Sequence, residues 1–96
     1  MEDGFEFVSE EYFQQRGISR MQAVQVVQSA ESRYFPLSRR EGRDRLMFVG
    51  FAQGRIDLLE AGVELAIADG QDKIFHVNKA RKYFQKLYNE EMQVHD

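Results

Sequence analysis

Cysteine and tryptophan are absent from this 96-residue chain, proline occurs once and histidine twice. Without cysteine there is no disulfide framework and no thiolate to act as nucleophile or ligand. The serines lie outside any recognisable nucleophile elbow, so no acyl-transfer triad can be assembled. His95 is next to the last residue, and neither paired histidines nor a histidine–carboxylate spacing of the usual kind occurs. The sequence therefore predicts no metal site and no cofactor. Gly50, Gly54, Gly62 and Gly70 are spaced as turn and bulge residues, not as a loop that cradles phosphate. No apolar run approaches the ~20 residues that span a bilayer, and Glu2 and Asp3 do not suit a signal peptide. The expectation is a soluble cytoplasmic protein with no membrane partner.

What is present is enough for one modest core. Hydrophobic residues make up 43% of the chain and aromatic residues 12%, which indicates a folded single domain over residues 1–96, frayed at 1–4 and 93–96. Its centre is Arg43–Ile67, which reads as an antiparallel hairpin. Leu46–Ala52 is apolar on both faces and predicts a strand covered on each side. Gln53-Gly54 is the turn, and Arg55–Ile67 returns. The returning strand puts Leu59, Ala61, Val63, Leu65 and Ile67 on one face and Glu60 and Glu64 on a more polar one. Gly62 is a natural bulge or bend, and Arg45 and Arg55 are expected opposite one another.

The rest of the chain covers this hairpin. Phe5–Val8 is a short strand, and Ser9 caps a short helix that stops at Gly17. Ser19 and Gln22 form a capping-box pattern for a second helix, whose Met21, Val24 and Val27, with Ala23, Val26 and Ala30, face the core. Glu31–Ser38 is a strand that Pro36 confines to an edge, followed by a charged connection turning at Gly42. Lys73–Asn78 is a last strand, with Phe75 and Val77 on one face and Ile74, His76 and Asn78 on the other. A helix from Lys79 to Glu91 closes the chain, with Ala80, Tyr83, Phe84, Leu87 and Tyr88 as its apolar stripe. The class is α+β: a small antiparallel sheet of three to five strands, two N-terminal helices and a C-terminal helix, with the helices gathered on one side.

Net charge is −3, but the charges are segregated. Arg33, Arg39, Arg40, Arg43, Arg45 and Arg55 face only Glu41 and Asp44 in their segment, net +4. Lys73, Lys79, Arg81, Lys82 and Lys86 make a second segment of +5, while acids collect towards both termini. Local potential governs encounter with a polyanion more than net charge does, so an acidic chain can carry a basic cleft. The competing reading is that these are solvated faces.

Phe5–Phe7, Arg16–Ala23 (RGISRMQA), Glu41–Glu60 (EGRDRLMFVGFAQGRIDLLE) and His76–Tyr88 (HVNKARKYFQKLY) together resemble, in order and spacing, the BrnT-type toxins of bacterial toxin–antitoxin pairs. The resemblance spans about Phe5 to Tyr88. This chain has Arg16 where the family has a histidine before the glycine, and Asn78 where it has an arginine in the last strand. The resemblance implies a RelE-like fold and a metal-independent endoribonuclease neutralised by a ribbon-helix-helix antitoxin.

Metal-free RNA cleavage requires proton transfer at the 2′-hydroxyl and the leaving oxygen, and cations to offset charge on the phosphoryl group. His76, the one histidine inside a predicted element, is the candidate acid or base, against the commoner structural role of a strand histidine. Glu60 is a second candidate, more often a partner for a neighbouring arginine. Arg45 and Arg55 are the candidate phosphate-stabilising groups of the catalytic set, and Arg43, Lys79, Arg81 and Lys82 the candidate RNA contacts. Cations at the start of a helix oppose its dipole, which favours a binding reason for Lys79, Arg81 and Lys82. Beside the enzyme stand a non-catalytic interaction domain, which would use the same sheet to hold a partner or a second copy, and a regulatory RNA-binding module.

Overall fold

The protein, represented by a computed structural model, is described over residues 4–67 and 70–94. Residues 68–69 and, of the ends expected to fray, 1–3 and 95–96 lie outside the described residues, whereas 93 and 94 continue the last helix. Among these residues the order is β1 (Glu6–Phe7), α1 (Glu10–Arg16), α2 (Arg20–Gln28), β2 (Arg33–Arg40), β3 (Arg43–Gly50), β4 (Leu59–Glu64), β5 (Lys73–Lys79) and α3 (Lys82–Val94). The class is α+β, as the sequence indicates. The sheet is mixed, in the order β1-β5-β4-β3-β2, because β1 joins β5 in parallel.

The helices do not gather on one side. Phe13, Ile18, Ala23, Val24 and Val26 from α1, α2 and their junction bury against Leu59, Ala61, Val63, Ile74 and Val77. On the opposite face Ala80, Phe84 and Tyr88 pack on Met47 and Val49. β3 serves both layers, which is the physical reason for its unbroken apolar run. Two expected core residues are in fact outside: Met21 is 63% exposed and Tyr83 67%. Ala30 is exposed as well.

Local signals work where they are complete. Ser19 Oγ accepts from Gln22 N and Gln22 reaches back to Ser19 N, forming the expected capping box. Gly17 closes α1 at φ 65°, although Ser9 at the other end makes no side-chain cap bond. β2 is the edge strand Pro36 requires. The charged stretch after it is mostly strand: Glu41 (φ 52°) and Gly42 (φ 76°) alone form a two-residue turn with both φ positive.

The central hairpin is antiparallel, but its connection is longer than expected. β3 ends at Gly50 opposite Leu59, leaving residues 51–58 as a loop. Gln53-Gly54 does turn, with Arg55 N donating to Ala52 O and Gly54 at φ 82°. The turn joins no strands, however, because the loop is tied sideways to the helices. Gln53 N donates to Gln25 Oε1, and Arg55 Nη1 donates to Gly17 O. Arg45 is therefore opposite Glu64 and not Arg55.

A bulge between β4 and β5 sets the geometry of the site. Gly62 pairs with His76 and Val63 with Ile74, so Phe75 is the extra residue. The simple alternation expected for β5 is thereby broken, and Ile74 and Val77 both enter the α1/α2 core. The Phe75 ring fills the space over Gly62, where an added Cβ would stand 2.8 Å from Phe75 Cζ and 3.1 Å from His76 Cβ. We predict that Gly62→Ala lowers unfolding free energy by about 1–3 kcal/mol through this overpacking. Urea denaturation measures it, and an unchanged midpoint would show that the Phe75 ring moves aside freely.

Candidate functional site

β4 carries Glu60 opposite Val49 on one side and Asn78 on the other. Its side chain therefore shares the face of Val49, under the start of α3, and is fully buried. The expected polar face is closed to water at this point. An ionised carboxylate in such a place must be paired and hydrogen-bonded. Glu60 Oε1 accepts from Arg81 N at 2.9 Å and from Arg81 Nε at 3.2 Å. Its Oε2 is 2.7 Å from Arg81 Nη2 and 2.6 Å from His76 Nε2. Burial pushes the Glu60 carboxyl up, but the hydrogen bonds from His76 and Arg81 and the Arg81 charge outweigh it and hold it below its ordinary value.

His76 is placed by the register opposite Gly62, where the missing Cβ leaves it room. Its other ring nitrogen, Nδ1, is 2.9 Å from Tyr12 Oη. Tyr12 comes from α1, where its neighbour Phe13 anchors the helix in the core. β1 pairs with β5 only at Lys73 and Ile74, so Tyr12 meets β5 beyond that strand, and Val77 N also donates to its oxygen at 3.4 Å. One turn along α1, Arg16 lays its guanidinium 3.6 Å above the Tyr12 ring and bonds Tyr12 O. The result is a chain of contacts, Arg16–Tyr12–His76–Glu60–Arg81, built from α1, β5, β4 and the entrance to α3.

Of the residues singled out in the sequence, His76, Glu60 and Arg81 come together directly. Arg45 lies close to them, its guanidinium 5.3 Å from the Phe75 ring centre, with Phe75 in turn 6.4 Å from the His76 ring. Arg45 Nε also donates to Ser38 O. Arg16, Arg45 and Arg81 thus touch Tyr12, Phe75 and Glu60 respectively, the groups beside His76, and Glu64 is the cross-strand neighbour of Arg45. Arg43 is at the end of the sheet, bonding Leu65 O and facing Glu64 at 3.7 Å. Lys79 is the last residue of β5 and not a helix opener, and Lys82 is the exposed first residue of α3. The supposed cost of Arg81 against the helix dipole is offset by its bonds to Glu60.

Arg55 is elsewhere. It forks onto Asp57 at 2.9 and 2.8 Å and holds the 51–58 loop to the α1–α2 junction. The hydrogen bond from Arg55 lowers the Asp57 pKa to about 2. Sequence reading missed Tyr12, which no local signal marks, and noted Arg16 only as standing at the family's histidine position, without placing it in the site. Tyr12 meets His76 across 64 positions, and its helix gives no hint of which edge it will reach.

Among the described residues no group of three or more histidine, cysteine or acidic side chains is placed to hold a metal ion. None of their helices is long and apolar enough to cross a membrane. No protein-family model matches the chain, and no curated protein matches it.

Both depressed carboxylates ionise more readily in the folded chain than in the unfolded one. Their stabilisation is complete above the ordinary values of 3.8 and 4.5 and is lost as pH falls through the folded ones, for Asp57 about 2. Urea midpoints measured down an acid series should therefore fall for the parent and fall less for a double variant carrying Asp57→Asn and Glu60→Gln. An equally steep acid limb in the double variant would place the acid sensitivity in other groups.

Proposed function

We propose that this chain is a metal-independent endoribonuclease of the BrnT toxin type, within the RelE-like superfamily, acting in the cytoplasm. The observation that carries the reading is His76 held between Tyr12 and the buried, ionised Glu60, with Arg81 on the same carboxylate. An imidazole carries a proton donor and a proton acceptor on one ring, which is what general acid–base chemistry needs. Arg16, Arg45 and Arg81 supply positive charge around it for a phosphodiester. The reaction is attack of the ribose 2′-oxygen on phosphorus. It forms the bond to O2′, breaks the bond to O5′, and yields a 2′,3′-cyclic phosphate and a 5′-hydroxyl end.

The likeness to BrnT toxins in the order of motifs along the chain supports the same reading. It extends it to a ribbon-helix-helix antitoxin as partner, with RNA as substrate, while a homodimer belongs to the interaction-domain reading. A non-catalytic interaction domain is favoured by a different observation. Phe51, Ile56, Leu58 and Tyr88 line a groove of about 370 Å³ between the 51–58 loop and α3, with Ile56 98% exposed.

Inducible expression of the chain in a bacterial host, with total RNA mapped for new ends, separates the two. The expected outcome is growth arrest with discrete new 5′-hydroxyl ends. His76→Ala should reduce cleavage by about 10²–10⁴-fold, the usual contribution of a positioned acid–base group. Normal growth and intact RNA with soluble, folded protein would move the assignment to the interaction domain. Cleavage undiminished in His76→Ala would remove His76 from the site.

A further inference from the structure

We infer that the atom taking the proton from the RNA 2′-hydroxyl is Tyr12 Oη, with His76 and Glu60 acting behind it as a relay. The inference rests on the ribonuclease reading above. Both ring nitrogens of His76 already have protein partners, Glu60 at 2.6 Å and Tyr12 at 2.9 Å. An ionised carboxylate only accepts hydrogen bonds, so Nε2 carries the ring hydrogen and donates it to Glu60. In the neutral ring Nδ1 is then the acceptor, and the Tyr12 hydroxyl is its donor. No position on the imidazole is left for a substrate hydroxyl.

The Tyr12 oxygen has such a position. It donates to Nδ1 and accepts from Val77 N, and a phenolic oxygen has capacity for one more hydrogen bond. The side chain is half-buried, on a stretch of β5 that β1 leaves unpaired. The Arg16 guanidinium lies 3.6 Å above the ring centre and holds the ring in this position. The arrangement repeats the logic of a hydroxyl backed by histidine and a carboxylate, with the hydroxyl as proton carrier and not as nucleophile.

The step balances. As O2′ bonds to phosphorus, its proton passes to Tyr12 Oη while the phenolic proton passes to His76 Nδ1. The imidazolium is held by the Glu60 carboxylate, and the P–O5′ electron pair leaves with O5′. Water protonates O5′, and His76 returns its proton through Tyr12 to the hydroxide so formed, restoring the neutral ring and one water. Arg81, whose side chain is 58% exposed, remains able to reach a phosphate oxygen while bonded to Glu60.

The test uses the full chain and an end-labelled RNA oligonucleotide containing the mapped cut, under single-turnover conditions. Tyr12→Phe keeps the ring under Arg16 and removes only the hydroxyl. Its cleavage rate should fall by about 10²-fold or more, with the half-saturating enzyme concentration within about twofold of the parent. The deficit should persist on an RNA whose bridging 5′-oxygen at the cut is sulfur, because a thiolate leaves without being protonated. Ring nitrogen shifts of the parent should place the His76 hydrogen on Nε2. Tyr12→Phe cutting as fast as the parent overturns the inference. So does recovery on the sulfur substrate, which would put Tyr12 at the leaving oxygen, or a hydrogen found on Nδ1 with Nε2 bare. If Tyr12→Phe does not fold, 3-fluorotyrosine at this position keeps the ring and hydroxyl but makes the phenol more acidic, and an unchanged rate then overturns the inference. A folded parent that cuts no RNA overturns the ribonuclease reading itself, an outcome distinct from a cutting parent with an indifferent Tyr12.

Discussion

A carboxylate with no access to water must be compensated by neighbouring donors, and Glu60 imposes that condition on most of this fold. Its four close contacts come from His76 on the adjacent strand and from the backbone and guanidinium of Arg81. Each contact constrains an element. The bond from Arg81 N fixes where the chain leaves β5 and begins α3. The bond from His76 fixes the rotamer of a ring whose far side reaches α1 through Tyr12. Removing one partner of such a pair would leave charge without compensation, at a cost of several kcal/mol in fully buried cases. Here that cost is moderated on one side, because Arg81 is 58% exposed and can be rehydrated.

The bulge at Phe75 and the glycine beneath it are what let Glu60 and His76 meet in this way. With an unbroken register, β5 would alternate strictly, and Ile74 and Val77 would fall on opposite faces. The extra residue lets both enter the α1/α2 core while His76 remains in register with Gly62. The Phe75 ring then occupies the volume a side chain at position 62 would need, and offers its face to Arg45. Packing and candidate chemistry share one irregularity. Bulges commonly re-aim side chains beside functional sites for this reason.

The two basic segments of the sequence divide by role once the fold is in place. Arg55 serves architecture, closing the 51–58 loop onto the α1–α2 junction through Asp57 and Gly17. Arg43 serves the end of the sheet. Arg45 and Arg81, joined by Arg16 from outside both segments, contact Phe75, Glu60 and Tyr12, the neighbours of His76. The net charge of −3 does not by itself decide encounter with a polyanion, which follows local potential more than the total.

Short-range patterns were legible in the residues themselves. The capping box at Ser19 and Gln22, the left-handed stop at Gly17, the turn at Gly42, the edge placement of the Pro36 strand and the two-faced burial of β3 each follow from chemistry within a few positions. His76 and Glu60 could be named as candidates because their side-chain types suit proton transfer. Their contact, and the inclusion of Arg81, awaited the bulge, whose extra residue no periodicity reveals. The length of the 51–58 loop likewise depended on tethers to helices some 28 and 38 positions earlier. Tyr12 and Arg16 entered the site only through the docking of α1 on a sheet edge that β1 leaves open. Sequence determined what each element is and which side chains carry useful chemistry, because those properties are local. Tertiary structure decided which of them meet, because that depends on register, layer order and the space left by one glycine.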